Sequence, residues 1–325
     1  MKPQVIVVQR VHQVGLDLLA SETDWRLASD PAPEKLKEEV GNADGILVRT
    51  TPLTRDVLEA APNLKVIGRH GVGVDNIDVE AATELGIPVV YAPGSNTLAV
   101  AEHAVMLMLT LAKNVFVADK ELREKHNFSA RFTVPSVELN GKTLGVVGLG
   151  KIGAAVAKRC GFGLEMNVIA YDPLLREDVA KELNVTPVAS LDELLAQADV
   201  VSLHAPATPE NHHLISAERL AKMKKGAILV NTGRGPLVDE AAVYEALKVG
   251  QLAGFGTDVF DPEPPLADNP LFTLPNVVVT PHMAAHTEEA LQRMASWAAE
   301  GILSVLKGEY PKYIYNPEVW DRRRK

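Results

Sequence analysis

Cysteine is almost absent from this chain. Cys160 is the only one among 325 residues, which excludes an intrachain disulfide and any metal site built from several thiolates. Long apolar runs are lacking as well. None approaches the roughly eighteen consecutive residues that a membrane span requires, and the start, Met1-Lys-Pro-Gln followed by Val5–Val8, is too short in apolar length for a signal peptide. Positive charge is not in excess either: Lys and Arg number 33 against 42 Asp and Glu, a formal charge of −9. With no long basic run, this argues against nucleic-acid binding. The terminal Asp321-Arg-Arg-Arg-Lys325 reads as a short solvated tail. The resulting expectation is a cytoplasmic protein that engages neither membrane nor nucleic acid. What is present is ordinary for a soluble globular chain, 46% hydrophobic and 23% charged residues, and the length favours two domains over one core.

Short β-branched runs alternate with helical segments throughout, the pattern of α/β architecture with parallel sheets. In the first hundred residues the strand candidates are Gln4–Val8, Ile46–Val48, Lys65–Ile67 and Val89–Tyr91, with a weaker one near Trp25–Leu27. Helices are expected at Val14–Ala20, Glu34–Val40, Arg55–Ala60 and Val79–Leu85, enough for a doubly wound domain of its own. A long helix follows from Leu98 to about Asn114, with Thr97 as its N-cap. Its Val105, Met106, Leu109 and Leu111 suit either a core or a subunit contact. The segment 126–140 lacks periodicity and reads as a loop. Later strands are expected at Val168–Tyr171, Val200–Leu203, Ile228–Asn231, Gly254–Thr257 and Val277–Thr280, and a last helix over about Thr287–Lys307.

One stretch carries most of the functional information. The apolar run Thr143–Val147 leads into Gly148-Leu-Gly-Lys-Ile-Gly153, a helical segment follows from Lys151, and a second strand ends at Asp172, nineteen residues after Gly153. Strand, G-x-G-x-x-G, helix, strand and terminal acid in this order form a dinucleotide-binding fingerprint. Gly148 permits the tight turn, Gly150 lets a pyrophosphate approach bare backbone, and Gly153 lets helix and strand pack closely. The helix N-terminus offers unpaired N–H groups to the phosphates. Asp172 can accept hydrogen bonds from both ribose hydroxyls, which selects NAD over NADP.

Three later strand ends carry titratable groups: Asn231-Thr-Gly-Arg-Gly235, Asp258-Val-Phe-Asp-Pro-Glu-Pro264 and Thr280-Pro-His282. In a parallel sheet such ends share one edge, where ligands bind, so Arg234, Glu263 and His282 should converge near the cofactor. Each has an ordinary alternative: a surface arginine, an exposed loop acid, a turn-capping histidine. Together they suit hydride transfer to a carbonyl. Arginine holds a carboxylate with a bidentate fork, histidine exchanges a proton near neutral pH, and a neighbouring carboxylate tunes it. His204 and His286 read as structural or cofactor-side. The pair His212-His213 has no acidic partner nearby in sequence, so no metal site is expected.

With these residues in view, the chain resembles the D-isomer-specific 2-hydroxyacid dehydrogenases over almost its whole length, through Gly71-Val-Gly-Val-Asp75, Ala101-Glu-His103, Gly148–Gly153, Asn231–Gly235, Asp258–Pro264 and Thr280–His282. The resemblance implies two doubly wound parallel-sheet domains: a Rossmann NAD-binding domain over 99–291, and a discontinuous flavodoxin-like substrate domain over 1–98 plus 292–325. It assigns catalysis to Arg234, His282 and Glu263, the last hydrogen-bonding the histidine and raising its pKa. Cofactor contacts implied are Gly148, Gly150, Lys151, Ile152, Gly153, Asp172, Ala205, Thr232, Gly233, Arg234, Asp258 and His282, with NAD as cofactor. Backbone N–H groups of Val72 and Gly73 would join Arg234 on the substrate carboxylate. One departure is Ala284, where many members have glycine.

Within the family the first domain most resembles members acting on 3-phosphoglycerate, through Val48-Arg-Thr-Thr51 and Gly68-Arg-His-Gly-Val-Gly-Val-Asp-Asn-Ile-Asp78, in a form without a regulatory domain. Arg49 and Arg69 are then expected to serve a second anionic group, the phosphate of 3-phosphohydroxypyruvate. The alternative is that Arg69 pairs with Asp75 or Asp78, and Arg49 with a surface acid. Reduction of glyoxylate or hydroxypyruvate is the runner-up activity. A non-catalytic NAD(H)-sensing protein akin to the corepressors of this fold is a further reading, and a homodimer is the expected assembly.

Overall fold

Five short runs rich in Val, Ile and Leu become one parallel sheet: β1 (Gln4–Val7), β2 (Asp24–Leu27), β3 (Gly45–Val48), β4 (Val66–Arg69) and β5 (Val89–Val90), in the order β2-β1-β3-β4-β5. That is the flavodoxin-like order. Side chains alternate between its faces. Val5, Val7, Leu47, Val66 and Val90 enter one core, and Ile6, Val8, Ile46, Val48, Ile67 and Val89 enter another.

The computed structural model describes residues 2–325, and they divide into two compact units. One comprises the residues up to Asn96 with His286–Lys325, the other Thr97–Ala285. The breaks fall at 96/97 and 285/286, where 98/99 and 291/292 were expected, because the helix Glu288–Leu306 packs as a whole on the first sheet. Its Ala295, Ala298, Ala299, Ile302 and Leu303 complete the core built on Val5, Val7 and Leu47.

The second unit holds seven parallel strands: β6 (Thr143–Val147), β7 (Asn167–Tyr171), β8 (Thr186–Pro187), β9 (Val200–Leu203), β10 (Ala227–Asn231), β11 (Leu252–Thr257) and β12 (Val277–Val279). Their order is β12-β11-β10-β9-β6-β7-β8. The strand order reverses between β6 and β9, so the topological switch point of a dinucleotide-binding sheet lies at the end of β6, where the glycines stand. Cys160 is buried beneath this sheet, and burial pushes its thiol up to about 12; it stays protonated and unreactive at neutral pH.

Several local expectations are corrected. Helix Val115–Lys125 escaped the periodicity reading because none of its residues is buried. The supposed loop over 126–140 contains a 3₁₀ turn at Phe128–Phe132. Thr97 is the first residue of helix Thr97–Ala112 rather than its cap, and the strand expected at Lys65–Ile67 runs over Val66–Arg69, so that Arg69 is its last residue. The terminal tail is anchored, not merely solvated: Arg324 Nη1 donates to the carbonyls of Ala61 (2.8 Å) and Pro62 (3.2 Å), and Arg323 lies 3.6 Å from the Trp320 ring centroid. Among the described residues no single helix is long and apolar enough to cross a membrane.

Candidate active site

The loop after β6 is shaped by its glycines. Gly148 has φ +90°, a conformation that side-chain-bearing residues rarely adopt, and a Cβ on Gly153 would stand 2.0 Å from the Gly148 carbonyl oxygen. A Cβ on Gly150 would meet nothing within 4 Å, so this position borders open space at the head of helix Lys151–Lys158, which carries Lys151 and Ile152 in its first turn. Asp172, just past β7, accepts from Leu149 N–H and Leu174 N–H, each at 2.8 Å, one on each carboxylate oxygen. Each oxygen keeps a lone pair for a further donor.

The remaining nucleotide-side residues lie along the same edge. The ideal Cβ position at Gly148 is 3.0 Å from Ala205 N, and that at Gly233 is 3.1 Å from Ala205 O, so the turns after β6, β9 and β10 meet around Ala205. Thr232 is buried and its Oγ1 has no hydrogen-bond partner. A buried orphan hydroxyl beside an open glycine backbone fits a polar ligand on this edge. His204 is structural: its Nε2 lies 2.9 Å from Ser202 Oγ, and burial lowers its pKa to about 4.

At the far end of the edge stand the acid–base residues. His282 Nδ1 is hydrogen-bonded to Glu263 Oε1, leaving Nε2 as the ring nitrogen for proton exchange. Burial works against ionisation of Glu263, but the His282 hydrogen bond and charge, with a smaller contribution from Arg234, hold its carboxyl below the ordinary value. Glu263 is therefore a carboxylate at neutral pH. Arg234 follows β10 in a turn pinned by Asn231, whose Nδ2 donates to Arg234 O (2.9 Å) and whose Oδ1 accepts from Gly233 N–H (3.0 Å). Of the three residues named from the sequence, the structure brings Glu263 and His282 into contact and sets Arg234 close enough for its charge to bear on Glu263.

His282 itself has φ +50°, a sparsely populated conformation for a non-glycine residue and one that needs support from its surroundings. Asp258 supplies it. Its main-chain carbonyl accepts from His282 N–H (2.9 Å), its Oδ1 from Met283 N–H (2.8 Å) and Thr280 Oγ1 (2.6 Å), and its Oδ2 from Ala284 N–H (2.8 Å). Asp258 is 1% exposed. Ala284, the departure from the family pattern, is buried with its N–H on this carboxylate.

In the other unit, Val72 and Gly73 lie in the loop after β4, and among the described residues their backbone N–H groups have no hydrogen-bond partner. Arg49 is hydrogen-bonded to His286 Nε2 rather than to a surface acid, and Arg69 Nη1 donates to His70 O. Asp78 caps helix Val79–Glu84 through Ala81 N–H. His70 is only 3% exposed, its Nε2 has no partner, and burial, with the Arg49 and Arg69 charges, lowers its pKa to about 3.

His212 and His213 do have an acid nearby, though not in sequence: their ligand atoms and that of Asp261 lie within 4.8 Å of one another. The two imidazoles are stacked, with centroids 3.9 Å apart and planes at 27°.

The second unit is a dinucleotide-binding α/β domain with a carboxylate–imidazole pair and an arginine at its ligand edge. Residues 105–284 match the model of the D-isomer specific 2-hydroxyacid dehydrogenase, NAD binding domain. The chain is 46% identical over 315 residues to a D-3-phosphoglycerate dehydrogenase of Methanocaldococcus jannaschii, covering 96% of this chain and 59% of that protein. It is 43% identical to a glyoxylate reductase of Korarchaeum cryptofilum, covering 98% of this chain and 97% of the relative. A D-lactate dehydrogenase from Aquifex aeolicus, solved with NAD and lactic acid, superposes with a TM-score of 0.83 at 34% identity, over 94% of this chain and 96% of that one. The chain belongs to the family of D-isomer-specific 2-hydroxyacid dehydrogenases, and its second unit is that family's NAD-binding domain. It spans a little under three-fifths of the length of the archaeal D-3-phosphoglycerate dehydrogenases it matches, 59% and 58%.

Two outcomes follow from this geometry. Between pH 6.5 and about 3 the unfolded chain binds a proton at His70 that the folded chain refuses, so stability falls as pH falls, by up to about 1.4 kcal/mol per unit. Urea unfolding at pH 7 and pH 5 should show His70→Asn losing about 2 kcal/mol less than wild type over that interval; equal losses would exclude the buried neutral imidazole. Cofactor choice should follow Asp172, whose carboxylate repels a 2′-phosphate, while the one cation close in sequence, Arg176, is hydrogen-bonded to Asp178. Catalytic efficiency should favour NAD over NADP, and Asp172→Ala should narrow the gap chiefly by weakening NAD. Equal efficiency in wild type would refute this.

Proposed function

We propose that this protein is a cytoplasmic NAD-dependent dehydrogenase that interconverts a D-2-hydroxy acid and its 2-oxo acid, with 3-phosphoglycerate and 3-phosphohydroxypyruvate as the best-supported pair. The observation that carries the dehydrogenase reading is the Glu263–His282 pair, with Arg234 contributing to the same electrostatic field, on the cofactor edge. The glycine loop and Asp172 would hold NADH, which would supply the hydride for reduction of the carbonyl. Arg234 holds the substrate carboxylate and polarises the carbonyl oxygen through its guanidinium fork. His282 Nε2 then delivers the proton to that oxygen, and the Glu263 carboxylate stabilises the imidazolium that precedes transfer. The balance is one hydride and one proton added across the C=O bond, the proton being replaced from solvent. In oxidation neutral His282 takes the hydroxyl proton.

Support for the phosphorylated substrate comes from the relatives and from Arg49 and Arg69. Support for the second reading, glyoxylate or hydroxypyruvate, comes from the Korarchaeum relative, matched over 97% of its length, and from the Arg49–His286 contact, which already occupies part of one guanidinium. Comparing 3-phosphohydroxypyruvate, hydroxypyruvate and glyoxylate decides between them. The phosphorylated acid should lead in kcat/KM by about tenfold, the order of one charge-assisted hydrogen bond, and Arg49→Ala or Arg69→Ala should erase much of that lead. An enzyme that prefers glyoxylate ends the phosphoglycerate reading. His282→Ala should lower turnover on the best substrate by at least about a hundredfold. No NADH consumption across a wider panel of 2-oxo acids, pyruvate and aromatic 2-oxo acids included, would favour the NAD(H)-sensing binder instead.

A homodimer is part of this proposal. Helix Val115–Lys125 has no buried residue, and Phe116, Phe128 and Phe132 are 60%, 66% and 76% exposed, an apolar surface that a second copy would cover. Light scattering should give twice 35.1 kDa, and Phe116→Asp with Phe132→Asp should bring the mass down toward the monomer. A monomeric wild type would exclude it.

A further inference from the structure

The helix Thr97–Ala112 lies against β11 in matched steps. A Cβ at Gly254 would meet Leu111 Cδ2 at 2.9 Å, and one at Gly256 would meet Leu107 Cβ at 3.1 Å. Two residues further along the strand is Asp258, and four residues back along the helix is His103. Two strand residues and four helix residues both advance by about 6 Å, so the missing side chains at 254 and 256 keep the two elements in step until the third pair meets. There His103 Nε2 lies 2.8 Å from Thr280 Oγ1 and 3.7 Å from Asp258 Oδ1.

The hydrogens in this chain are determined by its end. The Asp258 carboxylate can only accept, so the Thr280 hydroxyl donates to it (2.6 Å). The same hydroxyl oxygen then accepts a hydrogen bond from His103, which donates through Nε2–H. His103 is largely buried, with its side chain 12% exposed. The carboxylate beyond it holds the N–H groups of Met283 and Ala284, the two residues after His282.

We propose that His103 and Thr280 are positioning residues for His282: a chain from His103 through Thr280 to Asp258 holds the turn 280–284 in the conformation that presents the His282 imidazole to Glu263. The role rests on the dehydrogenase reading for its effect on rate, but not for its effect on geometry. Without the His103 donor, the Thr280 hydroxyl can turn from Asp258, and the strained backbone at His282 loses one of the contacts that hold it. His103→Gln places an amide Nε2 donor at nearly the same reach, whereas His103→Leu fills the space and donates nothing.

The test uses the full chain with the best 2-oxo acid of the panel, together with ring-nitrogen NMR of 15N-histidine-labelled protein, the His282 signals being assigned by His282→Gln. His103→Leu should lower kcat by about tenfold, the consequence of one buried hydrogen bond lost, while the KM for NADH changes less than about twofold. It should also move the His282 ring resonances and alter the pH profile of turnover. His103→Gln should restore both, and Thr280→Val should reproduce the defect where Thr280→Ser does not. Folded His103→Leu and Thr280→Val variants with wild-type His282 resonances would overturn the proposal, as would a His103→Gln variant as impaired as His103→Leu. A wild type that reduces no 2-oxo acid would remove the functional reading alone, and the resonances would still decide the positioning role.

Discussion

All seven strands of the second sheet run in one direction, and the organisation of the site depends on that constraint. Parallel pairing puts every strand's carboxyl end on one edge. Residues separated by more than a hundred positions, such as Asp172 and His282, therefore occupy a single ledge without any long-range sequence signal. Because a parallel sheet needs crossovers, the strand ends also open loops, and in spatial order across the sheet those loops carry Asp172, Gly148–Gly150, Ala205, Thr232–Arg234, Asp258 and His282. The glycine loop lies at the switch point of this ledge, and the Glu263–His282 pair lies toward its β12 side.

Polar groups within that ledge serve twice. Asp172 ties the glycine loop through Leu149 N–H while keeping lone pairs for a further donor. Asp258 is enclosed by hydrogen-bond donors rather than water and uses them to shape the turn behind His282. A buried carboxylate is tolerable only when its oxygens are met, and meeting them from Thr280, Met283 and Ala284, on both sides of His282, converts that requirement into a rigid support for an imidazole.

How much of this was legible beforehand follows from where the physics is local. The glycine fingerprint was readable because each glycine answers a steric demand within a few residues. The Arg234, Glu263 and His282 set was readable because strand ends can be located from β-branched runs. Helix Val115–Lys125 was not, since a helix with no buried face has no apolar period to detect. His103 gave no role-bearing signal: it lies 177 positions from Thr280, and only the stepwise packing of Leu111 and Leu107 on two glycines brings it there. The same holds for Asp261 beside His212, a neighbour in space and a stranger in sequence. Arg324 looked like part of a free tail because its partners are backbone carbonyls, which leave no mark on composition.

The first unit is assembled from the two ends of the chain, and this has a consequence for the order of events during synthesis. Thr97–Ala285 is contiguous and can close its own cores once residue 285 has left the ribosome. The first ninety-six residues emerge earlier, yet the face of their sheet bearing Val5, Val7, Leu47, Val66 and Val90 is covered by Ala295, Ala298, Ala299 and Ile302. The element made first is thus completed last. Until the final helix arrives, the nascent chain carries an open apolar sheet face, and that interval is the point at which a chaperone or a neighbouring chain would find it.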